Sequence, residues 1–263
     1  SFLFLISMKT AFVTGTTSGF GRAIALKLAS LGYNLVITGR RKELLDTLAE
    51  EIKEKFDVEL LPLNFDIRDK SACEMAVRAL PEKFQQIDLL VNNAGLAAGA
   101  APFDESDTED FERMIDTNVK GLLYITKLLV PGMITRRSGH IVNISSIAGI
   151  EVYPSGSVYC ASKHAVNAIT KGLRIDLVKY GILVSSISPG MAETEFSLVR
   201  YHGDEQKAKA VYKGLEPLSA ADIADALEFI VTRPPHVMIN DIQINPAQQA
   251  NTYVSCRKEI SNQ

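Results

Sequence analysis

A short apolar run, Thr10 to Thr14, leads directly into glycines at 15, 19 and 21 and then into the helical spacing Ile24, Leu26, Leu28 and Leu31. A strand, a glycine loop and a helix in that order open a dinucleotide-binding unit. Glycines let the backbone approach a pyrophosphate, and the helix N-terminus offers N–H groups and the positive end of its dipole. The spacing here is Gly-x-x-x-Gly-x-Gly rather than Gly-x-Gly-x-x-Gly. It is the setting between strand and helix that points to phosphate binding.

The same alternation continues along the chain. Strand-like runs fall at 34–38, 58–63, 87–91, 140–146, 182–187 and 237–244. Between them lie helical patterns at 42–56 and at 70–86, the latter interrupted near Pro81, and a run from Asp107 through Asn118. A further helix carries Tyr159, and another spans 220–231. Near-continuous apolar strands alternating with helices predict an α/β fold, a doubly wound Rossmann-type domain with a seven-stranded parallel sheet and helices on both faces. The 263 residues, 46% hydrophobic, suffice for one such domain over 1–263. Residues 191–217 read as a substrate-specificity loop, because long loops at strand carboxyl ends carry function. Residues 246–263 form a tail expected to pack on a neighbour or to be disordered. Residues 1–7 are apolar but far too short to span a membrane. They lack a basic n-region and a cleavage site, so they read as a peripheral extension before Met8.

Charge and cysteines narrow the partners. A formal net charge of -3 provides no basic field for nucleic acid. Cys73, Cys160 and Cys256 have no metal-ligand spacing, and their odd number argues against a disulfide framework. The expectation is a cytoplasmic protein with no metal, no nucleic acid and no membrane partner.

Several residues stand where chemistry needs them. The second strand ends in Gly39-Arg40-Arg41, where an NAD-preferring fold would place an acid for the ribose hydroxyl. Guanidinium groups there suit the 2′-phosphate of NADP, the alternative being a solvated pair opening the next helix. Asp66, just past the third strand, could accept from an adenine amino group or cap the next helix, with Asp69 and Ser71 competing for the cap. Asn93, Ala94 and Gly95 follow the fourth strand, at the ligand crevice of an open parallel sheet. Asn118 and Gly121 interrupt an otherwise apolar helix, which implies a kink or a functional asparagine. Tyr159 and Lys163 are four apart, about 40° around one helix. An ammonium beside a phenol favours the phenolate, so the tyrosine pKa is expected to fall. Ser146, thirteen residues upstream, could hydrogen-bond the oxygen that the tyrosine protonates.

Taken together, Thr14-Gly15-x-x-x-Gly19-x-Gly21, Asn92-Asn93-Ala94-Gly95, Asn118, Ser146, Tyr159-x-x-x-Lys163 and Pro189-Gly190 resemble the short-chain dehydrogenase/reductase family from Lys9 to about residue 246. The resemblance implies that Tyr159 is the general acid/base and that Ser146 holds the substrate oxygen. It implies that Lys163 binds the nicotinamide ribose and tunes the tyrosine, and that Asn118 holds a water linking the lysine to solvent. Gly15, Thr17, Ser18, Gly19, Phe20, Gly21, Arg40, Arg41, Asp66, Ile67, Asn93, Ala94 and Gly95 would line the cofactor with Tyr159 and Lys163. Pro189, Gly190 and Thr194 would close over it. Family members are commonly homotetramers, paired through the helices of Asn118 and Tyr159.

Phe20 within the glycine loop, Gly39-Arg40-Arg41, Gly95-Leu96-Ala97, Ile115 to Asn118, Thr194 to Ser197 and Val199-Arg200 look similar to the NADP-dependent serine and 3-hydroxy acid (allo-threonine) dehydrogenase group. That implies small substrates bearing a carboxylate, which Arg200 could receive, unless it is a surface or subunit-contact arginine. The Pro189 to Thr194 lid is one residue shorter than expected for that group. The competing expectations are a broad carbonyl or 3-oxoacyl reductase of the same fold, and a non-enzymatic NADP sensor.

Overall fold

The computed structural model describes residues 8–258, so the expected peripheral character of 1–7 and the last five residues lie outside it. Seven strands form one sheet in the order β3-β2-β1-β4-β5-β6-β7. They are β1 Thr10–Val13, β2 Asn34–Gly39, β3 Leu60–Asn64, β4 Leu89–Asn92, β5 Gly139–Ile144, β6 Ile182–Pro189 and β7 Asp241–Ile244. Every pairing is parallel.

Side-chain alternation sends successive strand residues to opposite faces. Ala11 and Val13 of β1 belong to one buried cluster and Phe12 to the other; Leu35 and Ile37 of β2 part from Val36 in the same way. Helices α1 (Gly19–Ser30), α2 (Lys42–Lys55) and α9 (Ala220–Val231) cover the first face. Helices α3 (Lys70–Arg78), α5 (Leu122–Arg136) and α6 (Ser157–Leu177) cover the second. Helix α4 (Thr108–Ile115) leads into α5 through a π-helical turn, Asp116–Gly121. The 191–217 segment holds two short helices, α7 (Phe196–Arg200) and α8 (Glu205–Ala210). No helix among the described residues is long and apolar enough to cross a membrane.

Several strand ends shift by about two residues from expectation, and three larger departures stand out. Helix α3 stops at Arg78 and a separate 3-10 turn follows at Glu82–Phe84, because Pro81 cannot continue the ladder. Strand β7 begins only at Asp241, with residues 237–240 irregular. The tail does not stand apart, at least to residue 258. Arg257 donates to the carbonyls of Val211 and Lys213, and the Lys258 amide donates to Gly214. The tail thus packs on the chain's own 191–217 segment.

The strand order reverses between β1 and β4, so the loops after them diverge and open a crevice. Asn93 closes its floor. Its Nδ2 donates to the carbonyls of Thr14 and Gly15 at 3.0 and 2.9 Å. Thr14 Oγ1 accepts in return from the amides of Asn93 and Ala94.

Candidate active site

A cleft of about 600 Å³ runs along the carboxyl ends of the strands. On its β1 side Gly15 takes φ +68°, a left-handed conformation that favours glycine. A Cβ there would come within 2.8 Å of the Ala94 backbone. Ser18 is the N-cap of α1, yet its side chain makes no capping bond and the first turn holds no acid. The uncapped amides and the dipole are therefore free to meet an anion.

The dinucleotide residues expected from the sequence mostly line this cleft: Gly15, Thr17, Ser18, Gly19, Phe20, Arg40, Arg41, Asp66, Ile67, Asn93, Ala94, Gly95, Pro189, Gly190 and Thr194. Gly21 does not. It packs the loop beneath, where a Cβ would lie 2.2 Å from the Gly15 carbonyl oxygen and 2.4 Å from Asn93 Nδ2. Arg41 Nε and Nη2 each reach Thr17 Oγ1 at 3.3 Å, and its Nη1 pairs with Glu195 at 2.8 Å. Asp66 is not a helix cap. Asp69 caps α3, while both Asp66 oxygens accept from the Arg68 guanidinium and Arg40 stands 3.7 Å away. Desolvation alone would raise the Asp66 pKa, but the Arg68 bonds and the Arg40 charge outweigh it and hold the carboxyl below its ordinary range.

The other half of the cleft gathers the catalytic candidates. β5 delivers Ser145 and Ser146 at its end, and the first turn of α6 carries Tyr159 with Lys163 one turn on. Ser145 is buried, with its hydroxyl on the Lys163 carbonyl. Ser146 is half-buried and caps the 3-10 turn Ile147–Gly149, accepting from the Ala148 amide at 3.1 Å. It lies close enough to the Tyr159 phenol to favour the phenolate. Of the two serines in the cleft, Ser146 stands beside the Tyr159 phenol while the Ser145 hydroxyl is turned to the Lys163 carbonyl.

Burial dominates the electrostatics. Desolvation pushes the Tyr159 phenol well above its ordinary pKa, Tyr153 adds to the rise, and Ser146 and Arg200 oppose it. Desolvation also lowers Lys163 to about 8. The expected fall of the tyrosine pKa is not what this structure shows. Lys163 Nζ donates to the Ile144 carbonyl at 3.0 Å and sits 6.0 Å from the Tyr159 ring centre. Each group is costly to charge alone in such surroundings, and each stabilises the other once both are charged.

Asn118 lies in the π-helical turn and is 2% exposed. It does not line the cleft. Its Oδ1 accepts from the Leu96 amide at 2.8 Å, while Nδ2 donates to the Leu96 carbonyl and to Ser162 Oγ. The side chain thus ties the β4 loop to α6.

The lid segment supplies the far wall. Phe196 packs edge-on against Tyr159 with ring centres 5.6 Å apart. Arg200 reaches the Tyr153 hydroxyl at 3.0 Å and the Gly99 carbonyl at 3.3 Å, and it lines the cleft. Tyr153, Gln249 and Thr252 also line it and were not expected from the sequence. Tyr153 had one signal, a position six residues before Tyr159 in the turn that feeds α6. Gln249 and Thr252 had none, because only the fold brings the tail back. Gln249 Oε1 accepts from the Met191 amide, and Thr252 bonds Glu151 through both amide and hydroxyl.

Comparison with known proteins fits this arrangement. A family model described as short chain dehydrogenase matches residues 9–203. A sulfoacetaldehyde reductase of Chromohalobacter salexigens is 45% identical over 240 residues, covering 91% of this chain and 94% of that protein. A serine 3-dehydrogenase of Agrobacterium fabrum is 43% identical over 241 residues, covering 92% and 95%. The structure described as the closed form of serine dehydrogenase complexed with NADP+ superposes with a TM-score of 0.89 at 39% identity, covering 95% of this chain and all of that one.

Proposed function

The chain belongs to the short-chain dehydrogenase family, and we propose that it interconverts a small 3-hydroxy acid, serine or allo-threonine with the matching 3-oxo acid, NADP accepting or returning the hydride. The observation that carries this reading is the convergence of Ser146, Tyr159 and Lys163 in one dinucleotide cleft that Arg200 also lines. The cofactor fits the chain: glycines with no Cβ at the loop, uncapped amides at α1, and two exposed guanidiniums after β2.

Each residue then has a task. Gly15 and the amides of Ser18 to Phe20 take the pyrophosphate, with Gly21 keeping the loop closed beneath them. Arg40 and Arg41 take the 2′-phosphate, bidentate recognition being what guanidinium groups do well. Ser146 donates to the substrate oxygen and holds it beside Tyr159. In oxidation Tyr159 removes the hydroxyl proton as a phenolate; in reduction it gives that proton back as a phenol. Lys163, as an ammonium, stabilises the phenolate and excludes the isolated buried anion that burial would otherwise forbid. Arg200 has five N–H donors and spends three on Gly99, Tyr153 and Ser155, which leaves two for a substrate carboxylate.

We further read residues 1–263 as one domain, a cytoplasmic homotetramer. Three free cysteines support the compartment. Leu123 of α5 and Ile175 of α6, 41% and 74% exposed, support pairing through those helices.

The test is reduction of NADP, and separately of NAD, by the purified protein offered L-serine, L-allo-threonine, 3-hydroxypropionate and 3-hydroxyisobutyrate. Sulfoacetaldehyde with NADPH joins the panel, since a sulfonate is an anion that the same guanidinium can receive. Turnover with NADP on these anionic substrates is the expected result. Turnover confined to bulky neutral ketones or acyl thioesters would sink the substrate assignment.

A further inference from the structure

Asp110 of α4 is 5% exposed. A buried carboxylate is costly unless it is paired and hydrogen-bonded. Its Oδ1 accepts from Arg113 Nη1 on the same helix, and its Oδ2 meets His202 Nε2, both at 3.0 Å. His202 comes from a different part of the chain. It lies two residues after Arg200, in a left-handed turn with φ +52°.

The turn at Gly99 lies between the same carboxylate and Arg200. Gly99 also has positive φ, and a Cβ added there would stand 3.0 Å from Asp110 Oδ2. The Gly99 backbone holds Arg200 at both ends: its amide donates to the Arg200 carbonyl at 3.0 Å, and its carbonyl accepts from Arg200 Nε at 3.3 Å. Asp110, Gly99, Arg200 and His202 thus form one cluster, with the only buried charge of the four at its base. Asp110 does not line the cleft, so it can act on substrate only through its neighbours, of which Arg113 and Arg200 do line it.

We propose that Asp110 is a positioning residue for the substrate carboxylate, fixing Arg200 through His202 on one side and the Gly99 turn on the other. This rests on the reading that Arg200 receives the carboxylate. A long arginine side chain has many rotamers, and a guanidinium that must meet a carboxylate with two parallel bonds gains most from being held. Loss of the anchor leaves the charge present but unaimed, which weakens binding of the anion rather than the chemistry of the alcohol.

The experiment compares 3-hydroxyisobutyrate with its uncharged amide as substrates for Asp110→Asn, His202→Ala and Arg200→Met in the full-length protein, with NADPH affinity measured by fluorescence. For Asp110→Asn, KM for the acid should rise about tenfold with kcat within about twofold, the pattern of lost substrate binding. Kinetics on the amide and NADPH affinity should not move. His202 is exposed, so His202→Ala folds even if Asp110→Asn does not, and it should raise the acid KM about threefold alone. Arg200→Met tests the underlying reading: if it treats acid and amide alike, the carboxylate assignment to Arg200 fails. If Arg200→Met discriminates and the Asp110 and His202 variants change acid and amide equally, or change neither, the positioning role is overturned. A parallel loss of NADPH affinity would overturn it as well.

Discussion

The Arg41 guanidinium and the Glu195 carboxylate meet at 2.8 Å, joining the loop after β2 to the residue that caps α7. Both side chains are 48% exposed. An ion pair in that setting contributes about 0–1 kcal/mol. A phosphate dianion offers the same arginine a stronger partner, so the pair is one that NADP can displace.

Glu195→Gln should therefore tighten NADP severalfold and leave NAD unchanged, because it removes a competing anion from Arg41. Replacing Arg40 and Arg41 together by alanine should do the opposite, weakening NADP by at least about tenfold more than NAD. Isothermal titration with each dinucleotide measures both. Equal losses for NADP and NAD would contradict the 2′-phosphate assignment.

Tyr159→Phe removes one hydroxyl from a fully packed position and leaves the ring contact with Phe196 intact. Turnover should fall by about 10²–10⁴, the usual scale of general acid–base catalysis. NADPH binding should be within error of the parent. A variant that turns over normally would remove the phenol from the mechanism.

Lys163 should set the pH at which oxidation works. Oxidation needs the phenolate, so its rate should climb with pH, and reduction, which needs the phenol, should hold steady through neutrality because burial keeps the proton on. Lys163 itself is lowered to about 8. Above that pH the cation fades, so the climb should bend over. Lys163→Met takes the cation away at every pH and should shift the rising limb to higher pH. An unmoved limb, with chemistry rate-limiting, would free Lys163 from any part in tuning Tyr159.

Local pattern carried most of the fold. The continuous apolar run Ala11, Phe12 and Val13 reports a strand covered on both faces, because Ala11 and Val13 meet one layer of helices and Phe12 the other. Asn118 was legible as a disturbance, since asparagine and glycine are poor residues for an apolar helix. That it becomes a π-helical turn bonded to Leu96 follows from a loop 22 residues away in sequence, which no local propensity contains. Tyr159 shows a different limit. Spacing placed Lys163 near it, but the sign of its pKa depends on burial by Tyr153, Phe196 and the lid. Gln249 and Thr252 were invisible for a similar reason: their place in the cleft exists only once the tail folds back over residues 191–217.

His140 gives the fold an acid-sensitive point away from the cleft. It lies on β5, with Nε2 2.8 Å from Ser185 Oγ on β6. Ser185 spends its own proton on the Ile239 carbonyl, so the imidazole must donate, and its Nε2 carries the hydrogen. Desolvation, helped by Lys9, lowers the folded pKa from 6.5 to about 4. The unfolded chain keeps the ordinary value. Between pH 6.5 and 4 the unfolded state therefore takes a proton that the folded state refuses, and stability falls as pH drops through that window. The loss is complete below about pH 4 and amounts to at most about 3 kcal/mol for this group. Urea unfolding at pH 7 and at pH 5 measures it. The drop in unfolding free energy between those two pH values should be smaller by up to about 2 kcal/mol in His140→Gln than in the parent, because glutamine keeps a donor for Ser185 and cannot take the proton. The same drop in both proteins would mean that His140 is protonated in the folded sheet as easily as in the unfolded chain.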